Sequence, residues 1–267
     1  MRIDRTLADL HAAAEAVWQQ VVSVLPGFAV EVVPRIDSTN SELMRRARDG
    51  VADPVLLVAV DQTAGRGRRG RDWVSEPGAS LTFSLALPLQ PMDWSGLSLT
   101  VGVSLAESLH PQVRLKWPND LWWRDHKVGG ILVETANVGA QRVAVVGIGL
   151  NIDTPALTPD AVHPAGVVAM PPIGLRTVWD GPSVTAGDCL QRVLAPLVRD
   201  VLAFERTGFA EFQSRFDARD ALRGREVRLS DGQSGVADGV RDDGALWLRT
   251  RNGRHAVVQH EVSVRPC

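Results

Sequence analysis

The chain has 267 residues, a formal net charge of −2, 45% hydrophobic and 22% charged residues. That length supports a substantial core in one large or two smaller domains, and the near-neutral balance excludes a protein whose whole surface is a nucleic-acid footprint. No apolar run approaches the roughly 20 residues of a membrane span, and the N-terminus lacks the basic start and unbroken apolar block of a signal peptide. Cys189 and Cys267 make neither a disulfide framework nor a CxxC metal site. A cytoplasmic protein without a membrane segment is the expectation.

Leu7, Leu10, Ala14, Val17, Val21 and Leu25 recur at helical spacing and predict an opening amphipathic helix. "FAVEVVPRID" reads as a strand and "DSTNSELMRRARDG" as a helix, with Thr39 and Glu42 at capping-box spacing and Gly50 placed to end it. "PVLLVAVDQ" is a short continuous apolar run, a buried strand, and "SLTFSLALPL" is another. "LSLTVGVSLAESLH" predicts a helix, and "VRLKWPNDLWW" a strand ending at Pro118. "GGILVET" and "RVAVVGIGLNI" predict a hairpin joined by "ANVGAQ". Residues 153–183 hold six of the 16 prolines and predict a long loop. "TAGDCLQRVLAPLVRDVLAFERTG" predicts a helix kinked or interrupted near Pro196. From Leu222 on, strand-like runs at Glu226–Leu229, Ala245–Arg249, His255–Val258 and Glu261–Val264 alternate with the turn signals Asp231-Gly232, Asp243-Gly244 and Asn252-Gly253. They suggest a small β-barrel appended to an α+β domain.

The most unusual stretch is "GRGRRGR", Gly65 to Arg71, with four arginines and three glycines in seven residues. It satisfies G-x-G-x-x-G, but a dinucleotide fingerprint needs a helix directly after the glycines. Here "RDWVSEPGAS" follows, broken by Pro77 and Gly78, so that reading fails. A nucleic-acid patch or a merely solvated loop stays open on the loop alone. So does a clamp on a small anion: glycines let the backbone approach a ligand, arginine forks match phosphate or carboxylate, and Trp73 offers a flat surface for a ring.

Taken together, "DSTN", "GRGRRGRDW", "LKWPNDLWW", "KVGGILVE" and "VGIGLNID" stand in an order and spacing that resembles biotin–protein ligases, also called biotin–[acetyl-CoA-carboxylase] ligases. The resemblance covers residues 35–152 by strong motifs and 220–265 by weaker ones. It implies an α+β fold: a mixed β-sheet catalytic domain with helices packed on it, related to class II aminoacyl-tRNA synthetases, over residues 1–219, and a C-terminal SH3-like β-barrel over 220–267. The implied reaction has two steps. Biotin is activated by ATP, with Mg²⁺, to biotinyl-5'-AMP and pyrophosphate, and the biotinyl group then passes to a lysine of the biotin carboxyl carrier domain of an acyl-CoA or pyruvate carboxylase.

By the same resemblance Ser38, Thr39, Asn40 and Gln62 bind the biotin ring, whose ureido group offers one acceptor and two donors to hydroxyls and amides. Arg66 and Gly67 serve the carboxyl region and loop closure, and Arg68 the adenylate phosphate. Lys127 reaches carboxyl and α-phosphate, where fixed positive charge stabilises developing charge. Asp120 orients the carrier lysine or accepts its proton. Trp73, Lys116, Asn119, Gly129, Gly130 and Asn151 form the nucleotide side. No residue cluster has the spacing of a fixed metal site, so the metal is expected to arrive with ATP. About 35 residues precede "DSTN", which predicts a monofunctional enzyme without the DNA-binding domain of some relatives. A lipoate or octanoate ligase or transferase of the same superfamily is the nearest rival, and a non-catalytic nucleic-acid-binding module a remote one.

Overall fold

The computed structural model describes residues 2–156, 170–179, 184–258 and 264–266. Much of the proline-rich stretch and most of the strand expected at Glu261–Val264 therefore lie outside the described residues, as does Cys267. The chain divides into two compact units, Met1–Leu89 with Trp122–Ala195, and Gln90–Leu121 with Pro196–Cys267.

Seven strands form one mixed sheet: β1 (Ala29–Ile36), β2 (Val55–Gln62), β3 (Ser80–Pro88), β4 (Arg114–Lys116), β5 (Asp120–Trp123), β6 (His126–Val138) and β7 (Gln141–Asn151), in the spatial order β1-β2-β3-β7-β6-β5-β4. β1 and β2 are parallel, while β2/β3, β3/β7 and β6/β7 are antiparallel. Val55 to Val60 are buried without interruption. Successive side chains of a strand point to opposite faces, so this run marks a sheet covered on both. α1 (Arg2–Val21) buries Leu10, Ala13, Ala14, Val17 and Val21 and lies on β1 and β2. α2 (Thr39–Arg48) is the crossover between those two strands and packs on β2, β3, β6 and β7.

α2 departs from its sequence expectation at its start. Ser38, not Thr39, is the cap: its side chain accepts from the Ser41 N–H, and Asp37 accepts from the Ser38 N–H. The Thr39 hydroxyl is thereby released for the interior. At the other end Gly50 has φ +96, Gly50 N–H donates to Ala47 O and Val51 N–H to Arg46 O, the paired bonds of a Schellman stop. Outside, Arg45 grips Asp37 and Glu42, and its guanidinium holds the Asp37 carboxyl below the usual carboxylate range.

Other boundaries also move. "VRLKWPNDLWW" is two strands: β4 ends at Lys116, Pro118 has no N–H to continue the ladder, and pairing resumes at Asp120; the Trp117–Pro118 bond between them is cis. β6 and β7 extend through most of "ANVGAQ" and turn at Gly139, which has φ +57. α3 (Leu97–Leu109) is as expected. A short helix, α4 (Leu175–Val178), stands inside the expected long loop. α5 (Ala186–Thr207) runs as one helix through Pro196. The missing proline donor is outweighed by an apolar stripe that includes Leu190, Val193, Leu194, Leu197, Val198 and Val201, all buried. α6 (Gln213–Asp217) follows.

The C-terminal strands are β8 (Glu226–Leu229), β9 (Ser234–Val240), β10 (Leu246–Thr250), β11 (Gly253–Val257) and β12 (Val264–Pro266). They form a five-stranded antiparallel sheet in the order β11-β10-β9-β8-β12. β9 has no sequence signal because Gly235 and Gly239 interrupt its alternation. Gly235 is needed where a Cβ would press on Arg249 O, and Gly239 has φ +78. The expected turn glycines Gly232, Gly244 and Gly253 all take positive φ.

Candidate active site

One face of the seven-stranded sheet changes character along its strands. Under α2 it is apolar: Leu43, Met44 and Ala47 pack with Val55, Leu57, Ala86, Val143 and Val145. One step further on the same face, at the two-residue period of a strand, stand Ser84 on β3 and Gly147 then Gly149 on β7. Ser84 and Leu132 flank Gly147, and Thr82 and Gly130 flank Gly149. Glycine is required here by close approach. A Cβ on Gly147 would come within 2.6 Å of Asn40 Oδ1, and one on Gly149 would overlap the Trp73 ring. The start of α2 and the Trp73 indole thus lie directly on the backbone of β7.

A polar network crosses this floor. Gln62, at the end of β2, accepts through Oε1 from the Thr39 N–H at 2.8 Å and from the Thr39 hydroxyl at 3.1 Å. The Thr39 hydroxyl also meets Ser84 Oγ at 2.8 Å, and Ser84 donates to Asn40 Oδ1 at 3.2 Å. Asn40 Nδ2 donates to Glu134 Oε2, and Arg66 donates to Glu134 Oε1 and to Ser41 Oγ, each at 3.3 Å. Ser38, Thr39, Asn40 and Ser84 are buried. Since the Gln62 oxygen is committed to Thr39, its amide NH₂ remains as a donor group beside Gly65.

The arginine loop is a narrow reversal. Trp73 N–H donates to Gly65 O at 2.9 Å, Gly67 N–H to Arg71 O at 2.6 Å, and Arg66 bridges to Asp72. Arg68 begins a single 3-10 turn to Gly70, within which Arg69 has φ 58 and Gly70 φ 70. Ser75 Oγ accepts from the Gln62 N–H at 2.9 Å and anchors the returning segment of the loop. The Trp73 Nε1–H is buried and lacks a hydrogen-bond partner among the described residues. Lys127 Nζ lies 5.8 Å from the centre of the Trp73 ring. The lysine's backbone is fixed on both sides: its N–H donates to Pro171 O, and its carbonyl accepts from Ile173 N–H and from Asn151 Nδ2.

This assembly can be set against known proteins. The model of the biotin/lipoate A/B protein ligase family matches residues 32–151. The bifunctional ligase/repressor BirA of Escherichia coli is 35% identical over 86% of this chain and 72% of its own. The biotin–[acetyl-CoA-carboxylase] ligase of Paracoccus denitrificans is 34% identical over 86% of this chain and 98% of its own. The chain belongs to the biotin–protein ligase family. Among solved structures, the biotin protein ligase from Aquifex aeolicus in complex with biotin and ATP superposes with a TM-score of 0.73, at 26% identity, over 91% of this chain and 100% of that one. The α+β architecture with a five-stranded antiparallel C-terminal sheet is that of biotin–protein ligases.

For this biotin–protein ligase family member, the residues named from sequence fall into two described groups. Ser38, Thr39, Asn40, Gln62, Arg66, Gly67, Arg68, Trp73, Lys127, Gly129, Gly130 and Asn151 belong to the first compact unit. Gly129 pairs with Leu150 and Gly130 with Gly149. Lys116, Asn119 and Asp120 belong to the second unit, where Lys116 Nζ bonds Asp120 Oδ2 at 3.0 Å and both side chains are largely buried. Trp117, fully buried, donates through Nε1 to Gly244 O at 2.9 Å. Sequence reasoning missed Ser84, Glu134 and Ser75. The signal for Ser84 was the alternation of Ser80, Thr82 and Ser84 with Leu81, Phe83 and Leu85, a polar face on a buried strand. The others were inside quoted motifs but carried no role. Among the described residues no three of His, Cys, Asp and Glu converge on a metal position, and no helix is long and apolar enough to cross a membrane.

Proposed function

We propose that the protein activates biotin with ATP and transfers it to a lysine of a biotin carboxyl carrier domain, as in an acetyl-CoA carboxylase. The observation that carries this reading is the network of Gln62, Thr39, Ser84 and Asn40 above the glycine floor of β7. It supplies both donors and acceptors in a buried place, which a ureido ring needs and a plain acyl chain does not. That contrast favours biotin over lipoate or octanoate. The names of the relatives point the same way.

In the proposed mechanism the Gln62 amide and the Ser38–Thr39–Asn40 turn hold the ring. The biotin carboxylate oxygen attacks the α-phosphorus of ATP, the bond to the β-phosphate oxygen breaks, and pyrophosphate leaves. Lys127 and Arg68 place fixed positive charge against the phosphate oxygens, with Arg66 and Gly67 closing the loop. Trp73 stacks on the purine and Gly130 and Gly149 admit it, while Gly129 and Asn151 set the backbone at Lys127. Magnesium enters as part of the nucleotide substrate. In the second step the carrier amine attacks the carbonyl carbon, AMP leaves, and the nitrogen loses a proton. A free lysine has a pKa near ~10.4, so an acceptor is required. Asp120 is that acceptor or orients the amine, Lys116 holds Asp120, and Asn119 contacts the nucleotide. Residues 1–219 carry the catalytic domain and 220–267 the small β domain.

Incubating the protein with ATP, Mg²⁺ and an apo carrier domain, with biotin, lipoate or octanoate in parallel, tests the reading. Modification of the carrier lysine by biotin is expected. Transfer of lipoate or octanoate but not biotin overturns it.

A further inference from the structure

Glu134 has no role in the reading above, yet it is where the ring-binding network and the arginine loop meet. Its Oε2 accepts from Asn40 Nδ2, while its Oε1 accepts from Arg66 at 3.3 Å. An ionised carboxylate only accepts, so Asn40 must turn its NH₂ toward Glu134 and its oxygen toward Ser84. Ser84 then spends its single proton on Asn40 Oδ1 and meets Thr39 Oγ1 as an acceptor. Thr39 is left as the donor, its one hydroxyl proton shared between Ser84 Oγ and Gln62 Oε1, while the Thr39 N–H donates to Gln62 Oε1 independently at 2.8 Å. The Gln62 NH₂ is the group still able to donate outward. One negative charge at β6 thus sets the direction of the hydrogen bonds through Asn40 and Ser84 as far as the Thr39 hydroxyl, and the Thr39 N–H orients Gln62.

We propose that Glu134 is a positioning residue for biotin recognition: its carboxylate fixes the donor–acceptor sense of the Asn40–Ser84–Thr39 chain of side chains and, through its other oxygen, ties Arg66 of the loop to that chain. This rests on biotin being the ligand. The two oxygens serve different ends, so the isosteric Glu134→Gln can satisfy Asn40 or Arg66 but not both with acceptors. Arg66→Ala removes only the loop side.

Calorimetric titration with biotin alone, without nucleotide, separates these ends. Wild type is expected to bind. Glu134→Gln should weaken binding on the order of tenfold and Glu134→Ala further, since a site built of directed hydrogen bonds loses discrimination when one group is mismatched. Arg66→Ala should weaken it less than Glu134→Ala. In turnover at varied biotin, the Glu134 variants should raise KM with a much smaller fall in kcat, and biotin at saturation should restore most of the rate. A purely structural role would lower the melting temperature without that KM–kcat split. If Glu134→Ala fails to fold, Glu134→Gln, which keeps shape and volume, decides. Wild-type affinity in Glu134→Gln overturns the inference, and Arg66→Ala equal to Glu134→Ala overturns its ring-reading half. A wild type that does not bind biotin sinks the functional reading itself.

Discussion

The face of the sheet under α2 is two regions built on the same strands. Val143 and Val145 on β7 and Ala86 on β3 are ordinary core beneath Leu43, Met44 and Ala47. Two residues along, Ser84, Gly147 and Gly149 occupy equivalent positions, with Asn40 and Trp73 in place of aliphatic side chains above them. Register, pleat and neighbours are shared, so what differs is only the side-chain chemistry and the point at which α2 begins. Core and site are therefore separable by mutation: damage to one should spare the other.

The largest effect is expected at the site end. Lys127→Ala should cut biotin-dependent ATP–pyrophosphate exchange about 10²–10³-fold, the usual loss when a donor facing developing charge is removed, with an unchanged melting temperature. Undiminished exchange would show that the lysine is bystander charge. Next, Leu57→Ala in the core half should cost about 2–5 kcal/mol of stability while leaving the KM for biotin unchanged, as read by denaturant unfolding and initial rates. A shifted KM without lost stability would break the comparison. Gly149→Ala, which forces a methyl group into the Trp73 ring, should cost on the order of 1–3 kcal/mol, appearing as weaker nucleotide binding rather than weaker biotin binding. Arg68→Ala should release the adenylate early, measured as biotinylation of bystander amines. Unchanged retention would refute that role.

A smaller effect outside both regions serves as a control. Asp220 is buried, and burial pushes its carboxyl up to about 6, with the Leu222 N–H opposing and Asp217 adding to the rise. A folded value above the ordinary 3.8 means the folded state holds its proton longer. Its favourable contribution is present below 3.8 and is lost as pH rises through about 6. Asp220→Asn should flatten that stretch of the stability–pH curve, by up to about 3 kcal/mol, without changing the KM for biotin.

How much of this was legible depended on which signal each residue carries. β2 and the arginine loop were plain because a continuous apolar run and a glycine–arginine cluster need no tertiary information. The expected cap of α2 is one residue off, since adjacent Ser38 and Thr39 can both cap a helix, and the contacts of the Thr39 hydroxyl with Gln62 and Ser84 leave the cap to Ser38. Ser84 follows Ser80 and Thr82 in strict alternation with Leu81, Phe83 and Leu85, a pattern that reads as a solvent-facing polar side until the strand is seen to be buried on both faces. Glu134 was hidden in the same way, because a carboxylate near the end of "GGILVE" reads as solvent-facing until Asn40 and Arg66 are seen to meet it.

The central claim is that the polar half of this face receives biotin for activation and transfer. Mass spectrometry of an apo carrier domain after incubation with the protein, ATP, Mg²⁺ and biotin tests it most directly. The account predicts one biotinyl group on the carrier lysine, dependent on ATP and lost in Lys127→Ala. An unmodified carrier with biotin, alongside a carrier acylated by lipoate or octanoate, would contradict it.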